Sequence, residues 1–310
     1  MFGDSEVSTT FAAANTGVLN ILHKENGFYK LELSTSPEIH DNRMSAWLTP
    51  NSNYDLALMK AFCVNMIKTS NALGKTDAAE KWTKILSDFE PLAVNENNVL
   101  MLSTDESPYE SHRHHSHCMS IYPLRMMEYD TDEHKKIIDS TIANLEHFGI
   151  KNWVGYSLGW MAQLYAVQGN GDKAFGMLDS FFRYFCTDNG FHSNGDYRFK
   201  TNCSQRCRLF TLEANFLAMD AIQEMLLYSE NNKIKLLPAI PAAWKDAAFE
   251  NLRAYGGLLV SVKLCNGKIT YLKFTAEKDI HFTLEEPKYE YDFALSKEIE
   301  LKQGETVCMH

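Results

Sequence analysis

The sequence predicts a mainly α-helical chain that ends in a small β domain. Apolar residues recur at helical spacing through roughly the first 230 residues, and after Asn232 they give way to short runs typical of strands. With 310 residues, of which 45% are hydrophobic and 23% charged, the chain is long enough for two domains and a large core. We expect a helical domain over residues 1–234 and a β domain over residues 235–310.

Helix signals follow one another along the first domain, and seven or eight helices can be counted before the β region. Each combines an apolar stripe with a capping residue or a terminal glycine. Gly74 and Gly169 are expected to end two of them. The clearest starts lie near Ser52, Thr76, Thr131, Leu158, Asp172 and Leu212.

The arrangement of these helices is constrained by the absence of a short repeat. No period of about 34 or 40 residues links them, so a regular solenoid is disfavoured. Helical hairpins closed into an (α/α)6 toroid fit the pattern better, although too few helices are present for a complete ring. The sequence therefore predicts a partial (α/α)6 toroid, the C-terminal part of a larger domain, with apolar helix faces left uncovered near the N-terminus.

In the β domain, Asn266-Gly267 is a strong hairpin signal because both turn residues tolerate positive φ. It joins strands predicted over residues 258–264 and 268–274. Two further strands, over residues 281–284 and 306–309, complete a small antiparallel β-sandwich-like domain.

The charge of the chain restricts its partners. A formal charge of −10 with scattered basic residues argues against nucleic acid or an anionic membrane surface. No apolar stretch approaches the roughly 18 residues that cross a bilayer. Residues 1–5 also lack the basic region and apolar core of a signal peptide. A neutral carbohydrate is compatible with this charge.

Cysteine and histidine spacing gives no sign of a metal. The seven cysteines follow neither a disulfide framework nor a zinc-ribbon pattern, and Cys203 and Cys207 have no second pair nearby. The cluster at 112–117 contains four histidines but no His-Glu-x-x-His and no acidic ligand. Imidazoles beside the guanidinium of Arg113 make a polar wall better suited to hydroxyl groups or to a carboxylate partner. We expect no metal and no organic cofactor.

Two carboxylates are candidates for catalysis, since two carboxylates facing each other across a sugar are what glycosidic bond cleavage requires. Glu38 follows Ser36-Pro37 on a rigid loop, where a carboxylic acid could protonate a leaving oxygen, although an ordinary surface glutamate is equally compatible with the loop. Asp55 lies nearby as a supporting partner or a helix cap. Glu213 begins the last helix, where it either complements the helix dipole or acts as a general base. Trp153 is close enough to a loop to line a carbohydrate cleft.

Five segments in this order resemble glycoside hydrolase family 95, whose known members include α-L-fucosidases. The resemblance extends over most of the chain and rests on short motifs whose combination is specific. They are Thr35-Ser36-Pro37-Glu38, His112-Arg113-His114 with Ser116-His117, Gly155-Tyr156-Ser157, Glu213-Ala214-Asn215-Phe216 and the stretch from Leu236 to Trp244.

The resemblance implies an (α/α)6 toroid followed by a β domain, and inversion at the anomeric carbon. Glu38 matches the general acid, and Glu213 occupies the place of the family's aspartate base. Arg113 and His114 match sugar-contacting positions, and Asn215 in the motif of the base joins them as a substrate-binding candidate. Family members are often exported.

The chain also departs from the family pattern. Glutamate stands for aspartate at position 213, Ala214 for a glycine, and Cys207 for a sugar-contacting histidine. The family's water-orienting asparagines lie upstream of the acid, in a segment that this sequence does not show.

The resemblance therefore implies an inverting exo-glycosidase that acts on α-linked L-fucose or L-galactose in a glycan. Two alternatives stay open. One is a phosphorylase with Arg113, Arg206 and Arg208 as candidate phosphate ligands. The other is a truncated or inactive homologue that binds glycans without cleaving them.

Overall fold

A computed structural model describes Gly17 and residues 20–310. The chain divides into two compact units, Met1–Gly149 and Ile150–His310. Among the described residues, no helix is long and apolar enough to cross a membrane.

The first unit contains a short antiparallel hairpin and three α-helices among its described residues. The hairpin strands are β1 (His23–Glu25) and β2 (Phe28–Lys30), and the helices are α1 (Asn53–Ala72), α2 (Thr76–Ser87) and α3 (Asp132–Phe148). Short 3-10 helices cover Met44–Ala46 and Ser116–Cys118.

Side-chain caps lie at the starts of two of these three helices. Ser52 Oγ accepts a hydrogen bond from the Asp55 N–H at the start of α1, and Thr131 does the same for His134 at the start of α3. The helix α2 begins at Thr76, close to the predicted start, but its cap residue is Lys75, whose side chain makes no capping bond.

Packing of α1 on α2 forms an apolar cluster in the first unit. Trp82 is completely buried and meets the ring of Phe62 edge-on at a centroid distance of 5.4 Å. Burial of a large apolar side chain of this kind stabilises a fold by about 2 kcal/mol or more. Leu58 of α1 is 37% exposed and, with Ala61 and Phe62, lines an apolar hollow of about 430 Å³. The uncovered helix faces expected near the N-terminus stay a prediction.

The second unit begins with the helices α4 (Gly155–Val167) and α5 (Gly171–Tyr184), and α6 (Glu213–Leu226) follows a long connection. Almost all of α4 is buried, consistent with a sequence that contains no charged residue. It packs against both α5 and α6. Its approach to α6 is close at Gly159, where a Cβ atom would lie 2.9 Å from Leu217 Cβ.

Two sheets follow in the same unit. Their strands are β3 (Leu227–Glu230), β4 (Lys233–Leu236), β5 (Ala247–Ala254), β6 (Leu258–Cys265), β7 (Lys268–Ala276), β8 (Ile280–Leu284), β9 (Glu290–Tyr291), β10 (Glu298–Leu301) and β11 (Thr306–Met309). One sheet has the order β10-β8-β4-β3, the other β11-β7-β6-β5 with β9 beside β7. Both contribute to one apolar cluster around Phe274 and Phe282, whose rings are 5.1 Å apart.

The β prediction is confirmed at its hairpin, but not every strand pair is antiparallel. Asn266-Gly267 joins β6 and β7 with φ values of 50° and 78°. However, β4 pairs with β8 and β7 pairs with β9 in parallel, so the sheets are mixed rather than wholly antiparallel. The boundary near residue 235, which falls within β4, and the toroid arrangement of the helices stay predictions.

Candidate active site

The loop that carries Glu38 is fixed at its base by α1. Asp55, in the first turn of α1, accepts hydrogen bonds at Oδ2 from the Ser34 hydroxyl at 2.7 Å and from the Thr35 N–H at 3.2 Å. Asp55 thus contacts the segment that precedes Glu38, as one of the two roles expected for it requires. Since a helix is rigid, the loop starts from a fixed point.

Backbone strain is concentrated in the part of the loop that follows Thr35. Glu38, His40 and Asp41 have φ values of 58°, 59° and 54°, in the left-handed region. Each such non-glycine residue costs on the order of 1–2 kcal/mol, so the surrounding contacts must hold it. His40 Nε2 lies 2.7 Å from a carboxylate oxygen of Glu106, and the Ile39 N–H donates to the Ser36 carbonyl at 3.1 Å.

The histidine cluster provides the partners of Glu38. His114 Nε2 donates to Glu38 Oε2 at 2.8 Å, and Arg113 Nη2 forms an ion pair with the same oxygen. His112 Nε2 lies 3.3 Å from the Glu38 carbonyl oxygen. No described residue forms a hydrogen bond with Oε1, and the Glu38 side chain is 48% exposed. The structure therefore brings three predicted site residues, Glu38, Arg113 and His114, into direct contact.

A buried pair of hydroxyl groups joins the two segments of this cluster. Ser36 Oγ and Ser116 Oγ are 2.5 Å apart, and both residues are almost inaccessible, at 3% and 1% exposure. Ser116 starts the 3-10 helix that follows the histidines. The pair therefore joins the segment that precedes Glu38 to the segment that follows Arg113 and His114.

The charges around Glu38 favour its ionised form. Partial burial raises the pKa of Glu38, but the hydrogen bonds and charges of Arg113 and His114 outweigh it and hold the pKa below its ordinary value. Burial lowers the pKa of His114, and the nearby Glu38 carboxylate only partly offsets this. The site thus contains a carboxylate held between a guanidinium and an imidazole.

His115 and His117 are the buried members of the cluster. Burial lowers the pKa of His117 to about 4 and that of His115 well below its ordinary value. Neither ring nitrogen of His117 has a hydrogen-bond partner among the described residues. Both imidazoles are therefore buried and neutral at pH 7.

In the second unit, Glu213 is the first residue of α6 and is exposed. The helix dipole favours a negative charge there, and the preceding Leu212 provides no side-chain cap. No described residue forms a hydrogen bond with the Glu213 carboxylate. The first turn of α6 therefore presents a carboxylate to solvent.

Asn215 connects this turn to the loop before it. Its Oδ1 accepts from the His192 N–H at 2.9 Å, and its Nδ2 donates to the Gly190 carbonyl at 2.9 Å. Both ends of the amide are therefore used to position backbone. Trp153, another predicted contact residue, is only 3% exposed, and its carbonyl accepts from the Cys203 thiol at 2.8 Å.

His192 is completely buried beside the same turn. Its Nδ1 lies 2.8 Å from both the carbonyl oxygen and the hydroxyl oxygen of Thr211. Burial lowers the pKa of His192, although the Thr211 carbonyl and the Glu213 charge oppose the shift. The Nε2 atom packs against Gly155, where a Cβ atom would lie only 2.3 Å away. Gly155 is therefore required by the close contact between α4 and His192.

Sequence reasoning missed the Ser36–Ser116 pair and the links from His192 to Thr211 and Asn215. Ser36, Ser116 and Asn215 lie within the motifs, but nothing in their local pattern gives a partner many residues away. No group of three or more His, Cys, Asp or Glu side chains within the described part of the chain could hold a metal ion.

Comparisons with known proteins give the family. The description "Glycosyl hydrolase family 95 catalytic domain" matches residues 12–226, and "Glycoside hydrolase family 95, C-terminal domain" matches residues 228–308. Alpha-L-fucosidase 2 from Arabidopsis thaliana is 26% identical over 267 residues, which cover 83% of this chain and 31% of the relative. The chain thus spans about a third of the length of that relative.

A solved structure described as a candidate kojibiose phosphorylase from human microbiome aligns with a TM-score of 0.51 and 11% identity, covering 94% of this chain and 41% of that chain. Likeness at this level of identity concerns the fold alone. The two family matches, by contrast, follow one another over nearly the whole sequence. The chain therefore belongs to glycoside hydrolase family 95.

Proposed function

We propose that this chain acts in a glycoside hydrolase that removes an α-linked L-fucose, or a related sugar such as L-galactose, from a glycan with inversion at the anomeric carbon. Glu38 protonates the leaving oxygen while Glu213 removes a proton from the attacking water. Inversion requires carboxyl groups about 6.5–9.5 Å apart, so that a water fits between base and sugar. Family membership and the likeness to a protein named as an α-L-fucosidase support this proposal.

The observation that carries the proposal is the contact of Glu38 with Arg113 and His114. Both neighbours donate to Oε2, and Oε1 accepts no hydrogen bond from the described residues. A leaving-group oxygen can therefore approach Oε1 while Arg113 and His114 are close enough to reach hydroxyl groups of the same sugar.

The ionised state of Glu38 sets a condition on this mechanism. A general acid must carry a proton when the substrate is bound, whereas Arg113 and His114 lower the pKa of Glu38. Bound sugar must therefore draw the Arg113 guanidinium away from the carboxylate. A sugar hydroxyl that accepts from Arg113 would do this and raise the pKa of Glu38 at the step where a proton is needed.

Glu213 is placed where a base could act on water. It lies in the first turn of α6, and its exposure gives water direct access. Contact of Asn215 with a sugar would require the loop at residues 190–192 to move, because the amide is occupied there. Contact of Trp153 would require its buried ring to become accessible.

A second candidate is glycan binding without turnover. The low pKa of Glu38 favours it, because a carboxylate that stays ionised can accept hydrogen bonds from hydroxyl groups but cannot donate a proton.

Hydrolysis assays on the purified chain distinguish the two candidates. We expect release of L-fucose or L-galactose from an α-linked oligosaccharide, with the β-anomer as the first product by proton NMR. Glu250→Gln, an exposed change on β5, should leave the rate unchanged. Saturable sugar binding by calorimetry without any release would favour the binding-only candidate, and first formation of the α-anomer would contradict inversion.

A further inference from the structure

Residues 193–210 fold back on themselves as a hairpin that precedes α6. The Asn194 N–H donates to the Leu209 carbonyl and the Gly195 N–H to the Cys207 carbonyl, each at 2.9 Å. The two arms approach so closely that a Cβ atom at Gly195 would lie 2.7 Å from Cys207 N. The hairpin is therefore a defined element of the second unit.

A buried carboxylate fixes the end of this hairpin. Asp196 is completely buried, and its Oδ2 accepts from the Thr201 N–H at 2.6 Å, the Lys200 N–H at 2.7 Å and the Arg206 guanidinium at 3.1 Å. Burial raises the pKa of Asp196, but these donors outweigh it and hold the pKa below its ordinary value. The chain between Asp196 and Arg206 is thus held in one conformation by a single charged group.

The same segment is strongly basic. Residues 197–208 contain four cationic side chains and no Asp or Glu, in a chain whose net charge is −10. Arg206 is balanced by Asp196, and Arg198 pairs with Asp188 at 2.8 Å. Lys200 and Arg208 are exposed and form no ion pair with any residue that the structure describes. Two positive charges therefore remain available on this surface.

Aromatic rings lie under these cations. The Arg206 guanidinium is 4.7 Å from the centre of the Phe199 ring. Arg198 and Arg208 lie 4.7 and 5.0 Å from the centre of the Tyr197 ring. Cation–π contacts of this kind hold guanidinium groups in place, and a held group loses less freedom when it binds a ligand. Phe199 is 71% exposed, so an apolar ring is presented beside the charges.

We propose that residues 197–208, the cationic hairpin, bind an acidic group, a sulfate or a carboxylate, on the glycan. The inference rests on the proposed function and adds a substrate class to it. A guanidinium matches the oxygens of such groups with two parallel hydrogen bonds, and an exposed aromatic ring packs on the apolar face of a sugar. The hairpin leads directly into α6, so it belongs to the same unit as Glu213.

Nucleic acid is a poorer match for the same surface. Binding to a phosphate backbone requires many cations along an extended surface, whereas Lys200 and Arg208 are two, and the chain as a whole is acidic. One acidic group on an otherwise neutral sugar needs no more than these two charges and the rings beside them.

Calorimetric titration of the purified chain tests the proposal. The probes are an α-L-fucose-containing oligosaccharide with one sulfate, its desulfated form, inorganic sulfate, and a short single-stranded oligonucleotide. We expect the sulfated oligosaccharide to bind about tenfold more tightly than the desulfated form, as loss of one charge-assisted hydrogen bond implies. Arg208→Gln and Lys200→Gln should each remove most of this difference. Lys278→Gln, at an exposed lysine after β7, should leave it unchanged.

Equal affinity for the sulfated and desulfated sugars would overturn the proposal, as would a preference that survives Arg208→Gln. Inorganic sulfate that binds as tightly as the sulfated sugar would show a simple anion site instead. Tighter binding of the oligonucleotide would show a nucleic-acid surface. Binding is measured without turnover, so the two proposals can fail separately. A chain that prefers the sulfated sugar but hydrolyses no fucoside would contradict the proposed hydrolase and leave the proposed acidic-group site standing.

Discussion

The Nε2 atom of His114 lies 2.8 Å from Oε2 of Glu38, and Arg113 reaches the same oxygen. This relationship determines the protonation state of the predicted acid. Two donors, one of them permanently charged, favour the carboxylate over the carboxylic acid. The resting site is therefore set for an ionised Glu38, and in the proposed mechanism proton donation depends on how a bound sugar changes the contact of Arg113 with Glu38.

Removal of the Arg113 charge should raise the pKa of Glu38. In Arg113→Gln the guanidinium that lowers this pKa is gone, while partial burial, which raises it, remains. The shift should appear in a carbon-13 NMR titration of the Glu38 carboxyl group. Arg253→Gln, at an exposed arginine on β5, serves as the control and should leave the titration unchanged. An identical Glu38 titration in Arg113→Gln would show that the ion pair is not formed in solution.

The Ser36–Ser116 pair should behave as a coupled unit in the free energy of unfolding. Ser36→Ala leaves the buried Ser116 hydroxyl without this partner and should cost about 1–3 kcal/mol. The double variant should cost less than the sum of the two single variants, because it removes both hydroxyl groups. Denaturant unfolding of the four proteins measures this coupling. Strict additivity would mean that the two hydroxyl groups do not interact.

Two glycines of the second unit should respond in opposite ways to alanine. Gly155→Ala places a methyl group 2.3 Å from His192 Nε2 and 3.1 Å from Phe181, and should destabilise the unit by about 1–3 kcal/mol. Gly176→Ala, inside α5 with open space around the added carbon, should stabilise by about 0.5–1 kcal/mol. Thermal unfolding of both variants makes the comparison. A Gly155→Ala protein as stable as the parent would place His192 elsewhere.

Stability of the first unit should fall on acidification because of His117. Its pKa is about 4 in the folded chain against an ordinary 6.5, so the unfolded chain binds the proton more readily. The contribution of the neutral His117 to the free energy of unfolding is complete above pH 6.5. It is lost as the pH falls towards 4, and the loss is on the order of 3 kcal/mol in total. Denaturant unfolding across this range measures the loss.

His117→Leu should reduce this pH dependence, because the leucine has no proton to bind. His147→Gln, at an exposed position on α3, provides the matched control and should keep the slope of the parent. A slope that is the same in His117→Leu and in the parent would assign the acid sensitivity to other groups.

The helices could be predicted wherever a capping residue or a glycine marks their ends. Ser52 and Thr131 cap α1 and α3 as their sequence suggests, and Asn266-Gly267 gives the β6–β7 turn. The pairing of β4 with β8 could not be predicted, because it joins short strands far apart in sequence, and local patterns carry no information on such partners.

Some features of the candidate site could likewise be predicted from the sequence, and others could not. The resemblance named Arg113 and His114 as sugar-contacting positions, and the histidine cluster was expected to suit hydroxyl groups or a carboxylate partner. In the structure both side chains contact the Glu38 carboxylate. The ionised state of Glu38 was not predictable, since it depends on how close the guanidinium lies. The backbone contacts of Asn215 were not predictable either, because the sequence does not show whether an amide side chain contacts a sugar or a loop.

The division of labour between Glu38 and Glu213 is tested most directly with two leaving groups. Initial rates of Glu38→Gln and Glu213→Gln are compared on an α-L-fucosyl oligosaccharide and on α-L-fucosyl fluoride, whose fluoride leaves without a proton. Glu38→Gln should lose roughly 10²–10⁴ in rate on the oligosaccharide and stay near the parent on the fluoride, while Glu213→Gln should lose activity on both. Equal losses by Glu38→Gln on both substrates, or no turnover of either by the unaltered chain, would contradict the assignment of acid and base.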